Sequence, residues 1–282
     1  MSYVAAIQMA SGPNINANLL EAGRLISQAV AAGASLVVLP ETESTNAWLL
    51  ARPAPGPGQA ALCLTDYQTR GRGRRGRHWL SPPGAGLCLS VAWQFLRPPA
   101  RLQALAIVAG LVLRRALAAE GIPGVTLKWP NDLLWDDHKL GGILVDLRAE
   151  GNGPVHVVAG LGLNYRLPAV VAESIVASGG LPPVDLVTVC PGSIPGRNRL
   201  AGVLTGALVR LLADYRRSGA VLLEQDWAGA DAIAGRPVNV TFGEHEIRGT
   251  ARGIDEDGAL LLDDGTGLQR VTAGDVSLRM IP

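Results

Sequence analysis

Apolar residues in this chain come mostly in runs of strand length, cut by Gly, Pro and Asp-Gly rather than by long polar linkers. Candidate strands lie at Tyr3–Gln8, Ser35–Leu39, Ala61–Tyr67, Leu87–Phe95, Val125–Lys128, Lys139–Leu147 and Val155–Leu163. Three segments with helical periodicity stand among them: Leu19–Ala32, Arg101–Glu120 and Arg199 to about Arg217. A shorter helix follows the capping sequence Glu43-Ser44-Thr45-Asn46 and passes through Trp48, Leu49 and Leu50. Strands with separate helix groups specify an α+β fold on a largely mixed or antiparallel sheet. The texture changes at Gly235. Short strands at Val238–Phe242, Glu246–Ile254, Ala259–Leu262 and Val276–Leu278 are broken by Gly243, Asp257-Gly258 and Asp264-Gly265. Asp-Gly between apolar runs is a hairpin signal, so residues 235–282 read as a small all-β barrel.

Several function classes drop out. The longest apolar stretch, Leu102–Leu113, stops at Arg114-Arg115, short of the ~20 apolar residues of a membrane span. The first twenty residues carry no basic side chain and make a poor secretory signal. Three cysteines, Cys63, Cys88 and Cys190, form no C-x-x-C pair, which argues against a disulfide framework or thiolate zinc site and suits a reducing cytosol. A net charge of +1 argues against a whole-molecule polyanion binder.

Two local clusters carry chemistry. The first is Gly71-Arg72-Gly73-Arg74-Arg75-Gly76-Arg77, preceded by Gln68 and followed by Trp79. It satisfies the letters of a dinucleotide fingerprint, but Leu80-Ser81-Pro82-Pro83-Gly84 follows where the fingerprint needs a helix N-terminus to hold the pyrophosphate. The remaining readings are a phosphate loop, in which glycines bend the backbone and arginines neutralise charge, an RNA-binding patch, or a structural loop. The second cluster is Lys128-Trp129-Pro130-Asn131-Asp132 with Lys139-Leu140-Gly141-Gly142. Lys128 and Lys139 are the only lysines among 25 basic residues. A surface ion pair between Lys128 and Asp132 is the bland alternative.

Taken together, Ser44-Thr45-Asn46, the Gln68-to-Trp79 run, KWPND, KLGGILV and Gly160-Leu161-Gly162-Leu163-Asn164 resemble biotin protein ligases in order and spacing, over about residues 41–282. The resemblance implies a mixed-sheet, class II synthetase-like α+β catalytic domain at 41–234 and an SH3-like β-barrel at 235–282. It implies biotin and MgATP as substrates, a biotinyl-adenylate intermediate, and transfer to a lysine of a biotin carboxyl carrier protein, an acetyl-CoA carboxylase subunit. Ser44, Thr45, Asn46, Gln68, Gly71, Arg72, Gly73, Arg74 and Lys139 would bind biotin. Arg72, Arg74, Arg75, Trp79, Asn131, Lys139, Gly162 and Asn164 would bind ATP or the adenylate. Arg74, Lys139 and Asp132 would be catalytic, with Asn131 and Asp132 open between positioning Mg2+ and positioning the incoming amine. No metal is assigned to protein side chains.

The resemblance further implies a cytoplasmic enzyme and leaves monomer or homodimer open. Lipoate ligation and nucleic-acid binding through the Arg/Gly loop are the alternatives. Many bacterial relatives carry a DNA-reading helix pair ahead of the ligase. Nothing before Ser44 reads as one, so no operator binding is expected. The first forty residues instead resemble the start of a nitrilase-family amidase, with Glu41 as its glutamate. The contexts of the three cysteines do not fit the rest of that enzyme, so residues 1–40 are expected to be a truncated or fused β-α-β fragment.

Overall fold

The computed structural model describes residues 34–281 apart from 150, 152, 243 and 275. The strand, turn and helix expected over 1–33 lie outside the described residues. Strand β1 (Ser35–Thr42) is followed by helix α1 (Thr45–Leu50), β2 (Ala60–Gln68), β3 (Gly86–Phe95) and α2 (Leu105–Ala119). Next come β4 (Thr126–Lys128), β5 (Asp132–Trp135), β6 (His138–Ala149), β7 (Val155–Asn164), α3 (Ala169–Ala177), α4 (Leu186–Val189) and α5 (Arg197–Asp226). The C-terminal strands are β8 (Pro237–Phe242), β9 (His245–Ile254), β10 (Leu260–Asp263), β11 (Leu268–Val271) and β12 (Val276–Met280).

A seven-stranded sheet has the order β1-β2-β3-β7-β6-β5-β4; the β1–β2 pair is parallel and the rest are antiparallel. Alternation along β3 decides what each face does. Leu87, Leu89, Val91, Trp93 and Phe95 join the core that includes α2 and α5. Cys88, Ser90 and Ala92 alternate with them, and Ala92 packs with Leu49 of α1, Cys63 and Val158 in a second, smaller cluster. Segment Leu102–Ala119 has the length and mean hydropathy of a membrane span, 1.7, despite Arg114-Arg115. Its burial identifies it as the core helix, with Leu105, Val108, Leu111, Leu113 and Leu117 almost inaccessible.

A second sheet, β11-β10-β9-β8-β12, encloses Val238, Val240, Ala251, Leu260, Leu262 and Leu278. It is seated on the first domain: the indole Nε1 of Trp129 donates to the Gly258 carbonyl at 3.0 Å, and Arg236 meets Asp137 at 2.7 Å.

The structure departs from the sequence reading in places. Ser35–Leu39 was expected as a buried strand of a separate fragment ending at 40. It extends to Thr42, crosses that boundary and pairs in parallel with β2 of the ligase-like sheet. Only Val38 is buried, because an edge strand has one neighbour. Strand β5 adds four residues where a connection was expected, α3 and α4 add helices after Asn164, and β11 is a further barrel strand. The last long helix reaches Asp226 rather than Arg217.

Candidate active site

The cavity follows from small residues on the α1-facing side of the sheet. Across the strands, Ser90 of β3 lies opposite Gly160 of β7, which lies opposite Leu144 of β6. One step along, Cys88, Gly162 and Gly142 form the neighbouring row. Glycines on this face leave room that side chains would otherwise fill. A β-carbon on Gly160 would overlap Asn46 Oδ1, and one on Gly162 would come within 2.5 Å of the Trp79 ring. The resulting cavity measures about 780 Å³.

One end is neutral and polar. Ser44 caps α1 by accepting from the Ala47 amide at 3.4 Å, which fixes the two residues that follow. Thr45 and Asn46 are buried. The Thr45 amide donates to Gln68 Oε1 at 2.9 Å. Asn46 Nδ2 donates to the Leu144 carbonyl at 3.1 Å and to Asp146 Oδ2 at 2.7 Å. Ser90 Oγ lies 2.6 Å from both Thr45 Oγ1 and Asn46 Oδ1.

The other end is charged. Both lysines of the chain converge on one carboxylate: Lys139 Nζ is 2.7 Å from Asp132 Oδ1, and Lys128 Nζ is 3.6 Å from Oδ2. The hairpin through Asp136-Asp137 brings this about. Both aspartates take positive φ, 47° and 61°, a conformation tolerated by Asp that reverses the chain between β5 and β6. Burial would raise the Asp132 carboxyl, but Lys139 and then Lys128 outweigh it and hold it below the ordinary aspartate value. Burial lowers Lys128 below the usual lysine value and the Lys139 charge adds to that, against the pull of Asp132. Lys139 Nζ also sits 5.8 Å from the centre of the Trp79 ring.

The arginine loop folds back on itself through Gly73 N to Arg77 O, 2.7 Å, and Trp79 N to Gly71 O, 2.9 Å. Arg72 and His78 bridge across it. It also reaches the barrel: Arg74 donates to the Ala273 and Gly274 carbonyls, the latter at 2.6 Å, and Arg77 donates to Ser277 Oγ at 2.8 Å.

Ser44, Thr45, Asn46, Gln68, Arg72, Gly73, Arg74, Arg75, Trp79, Asn131, Asp132, Lys139, Gly162 and Asn164 therefore share one cavity wall. Gly71 is the exception among the expected site residues: it is buried and outside the lining, closed off by Trp79. Asn131 and Asn164 spend amide protons on backbone, Asn131 on Ile143 O at 2.7 Å and Asn164 on Lys139 O and Val184 O. They brace the strand that carries Lys139. The sequence reading left Ser90, Asp146, Lys128, Gly160 and the barrel's Leu278, Arg279 and Met280 out of the site. Two of these carried a signal: Ser90 is the one hydroxyl in a largely apolar strand, and Lys128 is one of only two lysines. The barrel residues carried none, since their approach depends on docking between domains.

Comparison with known proteins gives the lineage. Residues 38–164 match the model of the Biotin/lipoate A/B protein ligase family, and residues 233–279 match that of the biotin protein ligase C terminal domain. The bifunctional ligase/repressor BirA of Escherichia coli is 38% identical over 261 residues, covering 93% of this chain and 78% of its own. The biotin--[acetyl-CoA-carboxylase] ligase of Paracoccus denitrificans is 35% identical, covering 85% of this chain and 98% of its own. The solved Aquifex aeolicus biotin protein ligase, in complex with biotin and ATP, superposes with a TM-score of 0.70 at 25% identity, covering 88% of this chain and 99% of that one. With relatives of this identity matched over 78% and 98% of their own length, and with both characteristic domains present in order, the chain belongs to the biotin protein ligase family.

Proposed function

We propose that this chain activates biotin with ATP and transfers it to a lysine of a biotin carboxyl carrier protein. In the first step a biotin carboxylate oxygen attacks the α-phosphorus of ATP, the bond to the bridging oxygen breaks, and pyrophosphate leaves. In the second, the carrier amine attacks the acyl carbon of biotinyl-adenylate and AMP leaves, giving an amide. The observation that carries this reading is the division of one cavity into a neutral hydrogen-bonding end and a cationic end. A ureido ring suits Ser44, Thr45 and Gln68, with Asn46 beside them; a carboxylate meeting a phosphate suits Lys139 with Arg72 and Arg74.

Lys139 is the residue that bridges the two reacting anions, offsetting the charge that gathers as they approach. Asp132 keeps its ammonium aimed into the cavity. Trp79, seated against Gly162, covers the intermediate and keeps water from its acyl phosphate bond. Asp132 is the one carboxylate among the described lining residues, and lysines occupy both its oxygens. The donor set therefore does not fit a resident Mg2+, which is read as arriving on the nucleotide phosphates. The reading places the enzyme in the cytoplasm, in keeping with three cysteines that are all free.

The test offers a purified carrier protein with biotin or lipoate, with and without ATP, and weighs the product. One biotinyl group added only with ATP supports the reading; lipoyl transfer at equal efficiency would overturn it.

A further inference from the structure

The hydrogen-bond chain behind the neutral end has only one consistent arrangement of protons, and it points at the ligand. Asn46 Nδ2 faces two acceptors, the Leu144 carbonyl and Asp146 Oδ2, so both its N–H groups are committed there. Its Oδ1 must then be the atom facing Ser90, and an amide oxygen can only accept. The single Ser90 proton therefore goes to Asn46 Oδ1, at 2.6 Å. Ser90 Oγ also lies 2.6 Å from Thr45 Oγ1, and with its own proton spent it can only accept there. Thr45 must be the donor. Once Thr45 has given its proton to Ser90, the 3.2 Å approach of its hydroxyl to Gln68 Oε1 brings two acceptors together. Gln68 Oε1 is held by the Thr45 amide instead. Thr45 Oγ1 is left with lone pairs and no uncommitted hydrogen, on the cavity wall.

We propose that Ser90 and Asp146 are positioning residues that fix this proton order, so that Thr45 Oγ1 accepts and the pocket selects a ring bearing N–H. The direction is Thr45 to Ser90 to Asn46 to Asp146, ending on a carboxylate. Each donor polarises the next, which strengthens acceptance at the open end. Neither residue was singled out by the sequence. Ser90 is fully buried, and Asp146 lies behind Asn46, outside the lining. A ureido ring supplies the matching N–H. A dithiolane such as that of lipoate does not, and leaves the acceptor unpaired. The inference rests on the biotin reading of this cavity and adds the residues that enforce it.

The experiment is calorimetric titration of the full chain with biotin, without nucleotide, alongside steady-state kinetics. The variants are Ser90→Ala, Ser90→Cys and Asp146→Asn, with melting temperatures recorded for each. Ser90→Ala and Ser90→Cys are expected to weaken biotin about tenfold, the scale of one buried hydrogen bond, and to raise the KM for biotin alike. The value of kcat at saturating biotin and the KM for ATP should change less than about twofold. Asp146→Asn keeps an acceptor for Asn46 but loses the charge, so its effect is expected to be smaller, about threefold. Preference for biotin over lipoate should fall by the same factors, because lipoate never used the acceptor. A loss of packing alone would weaken both acids equally and overturn the proposal. So would a folded Ser90→Ala protein with unchanged biotin affinity. Failure of the unaltered protein to bind biotin at all would overturn the functional reading as well.

Discussion

Asp132 is the hinge of the charged end, since its two oxygens serve both lysines of the chain. Removing one member of a buried ion cluster leaves the others uncompensated, so Asp132→Asn should destabilise the protein by about 3 kcal/mol or more at neutral pH. The pH dependence has a defined sign. The folded carboxyl lies below its ordinary 3.8, so its stabilisation is complete above that value and is lost as pH falls through the lower, folded one. Denaturant titrations should show the gap between wild type and Asp132→Asn narrowing below about pH 4; a gap that widens in acid would contradict this assignment. Lys139→Ala should act differently, on the reaction rather than the fold. Its charge matters most as negative charge accumulates, so kcat for adenylation should drop by about 10²-fold or more while biotin affinity changes only a few-fold. Single-turnover kinetics measures both quantities, and an unchanged kcat in a folded variant would remove Lys139 from the mechanism. The spacing of KWPND and the following lysine made these residues legible in the sequence. Lys128 was legible as part of the KWPND motif, but its 5% exposure is a product of the fold.

At the scale of elements, strand β1 connects the N-terminal segment to the ligase sheet. It pairs in parallel with β2 from Ser35 to Thr42 and runs into the cap of α1, so its register bears on where Thr45 and Asn46 stand. A fragment starting at residue 34 keeps the strand and should melt like the full chain. A fragment starting at residue 40 loses Val38, the strand's only buried residue, with partly buried Leu36, Val37 and Leu39. That burial corresponds to about 2–3 kcal/mol, which in a domain of this size lowers Tm by roughly 5–10 °C. Calorimetry on the two fragments decides between an integral strand and a dispensable arm; equal melting temperatures would favour the arm. Long elements were readable because continuous apolar runs of their length mark them: β7 is buried on both faces along almost its whole length, and α2 buries most of its first two turns. Strand β5 escaped because Leu133 and Leu134 are both buried and break the alternation in a strand of only four residues. Helix α3 escaped because AVVAESIVA is apolar nearly all round and so shows no stripe, and the fold buries none of its residues. Strand β11 buries only Val271 at its end.

For the whole molecule, the docking of the barrel is what sequence could not supply, and it completes the cavity with Leu278, Arg279 and Met280. The contacts between the domains nearest the site include Trp129 Nε1 to the Gly258 carbonyl, and the arginine loop to Ala273, Gly274 and Ser277. Trp129→Phe removes the first and leaves a void beside the fully buried ring, and should cost about 2 kcal/mol, or roughly 4–8 °C in Tm by scanning calorimetry. An unaltered Tm would mean that this contact does not secure the barrel. The two halves of the cavity, neutral and cationic, have a joint purpose only if one ligand spans them while being joined to a nucleotide. Exchange of radiolabelled pyrophosphate into ATP reads that event before any carrier protein is involved. Formation of biotinyl-adenylate requires exchange that appears with biotin, is absent without it and is largely lost in Lys139→Ala. Exchange that proceeds without biotin, or no exchange in the folded full-length protein supplied with biotin and MgATP, would contradict it.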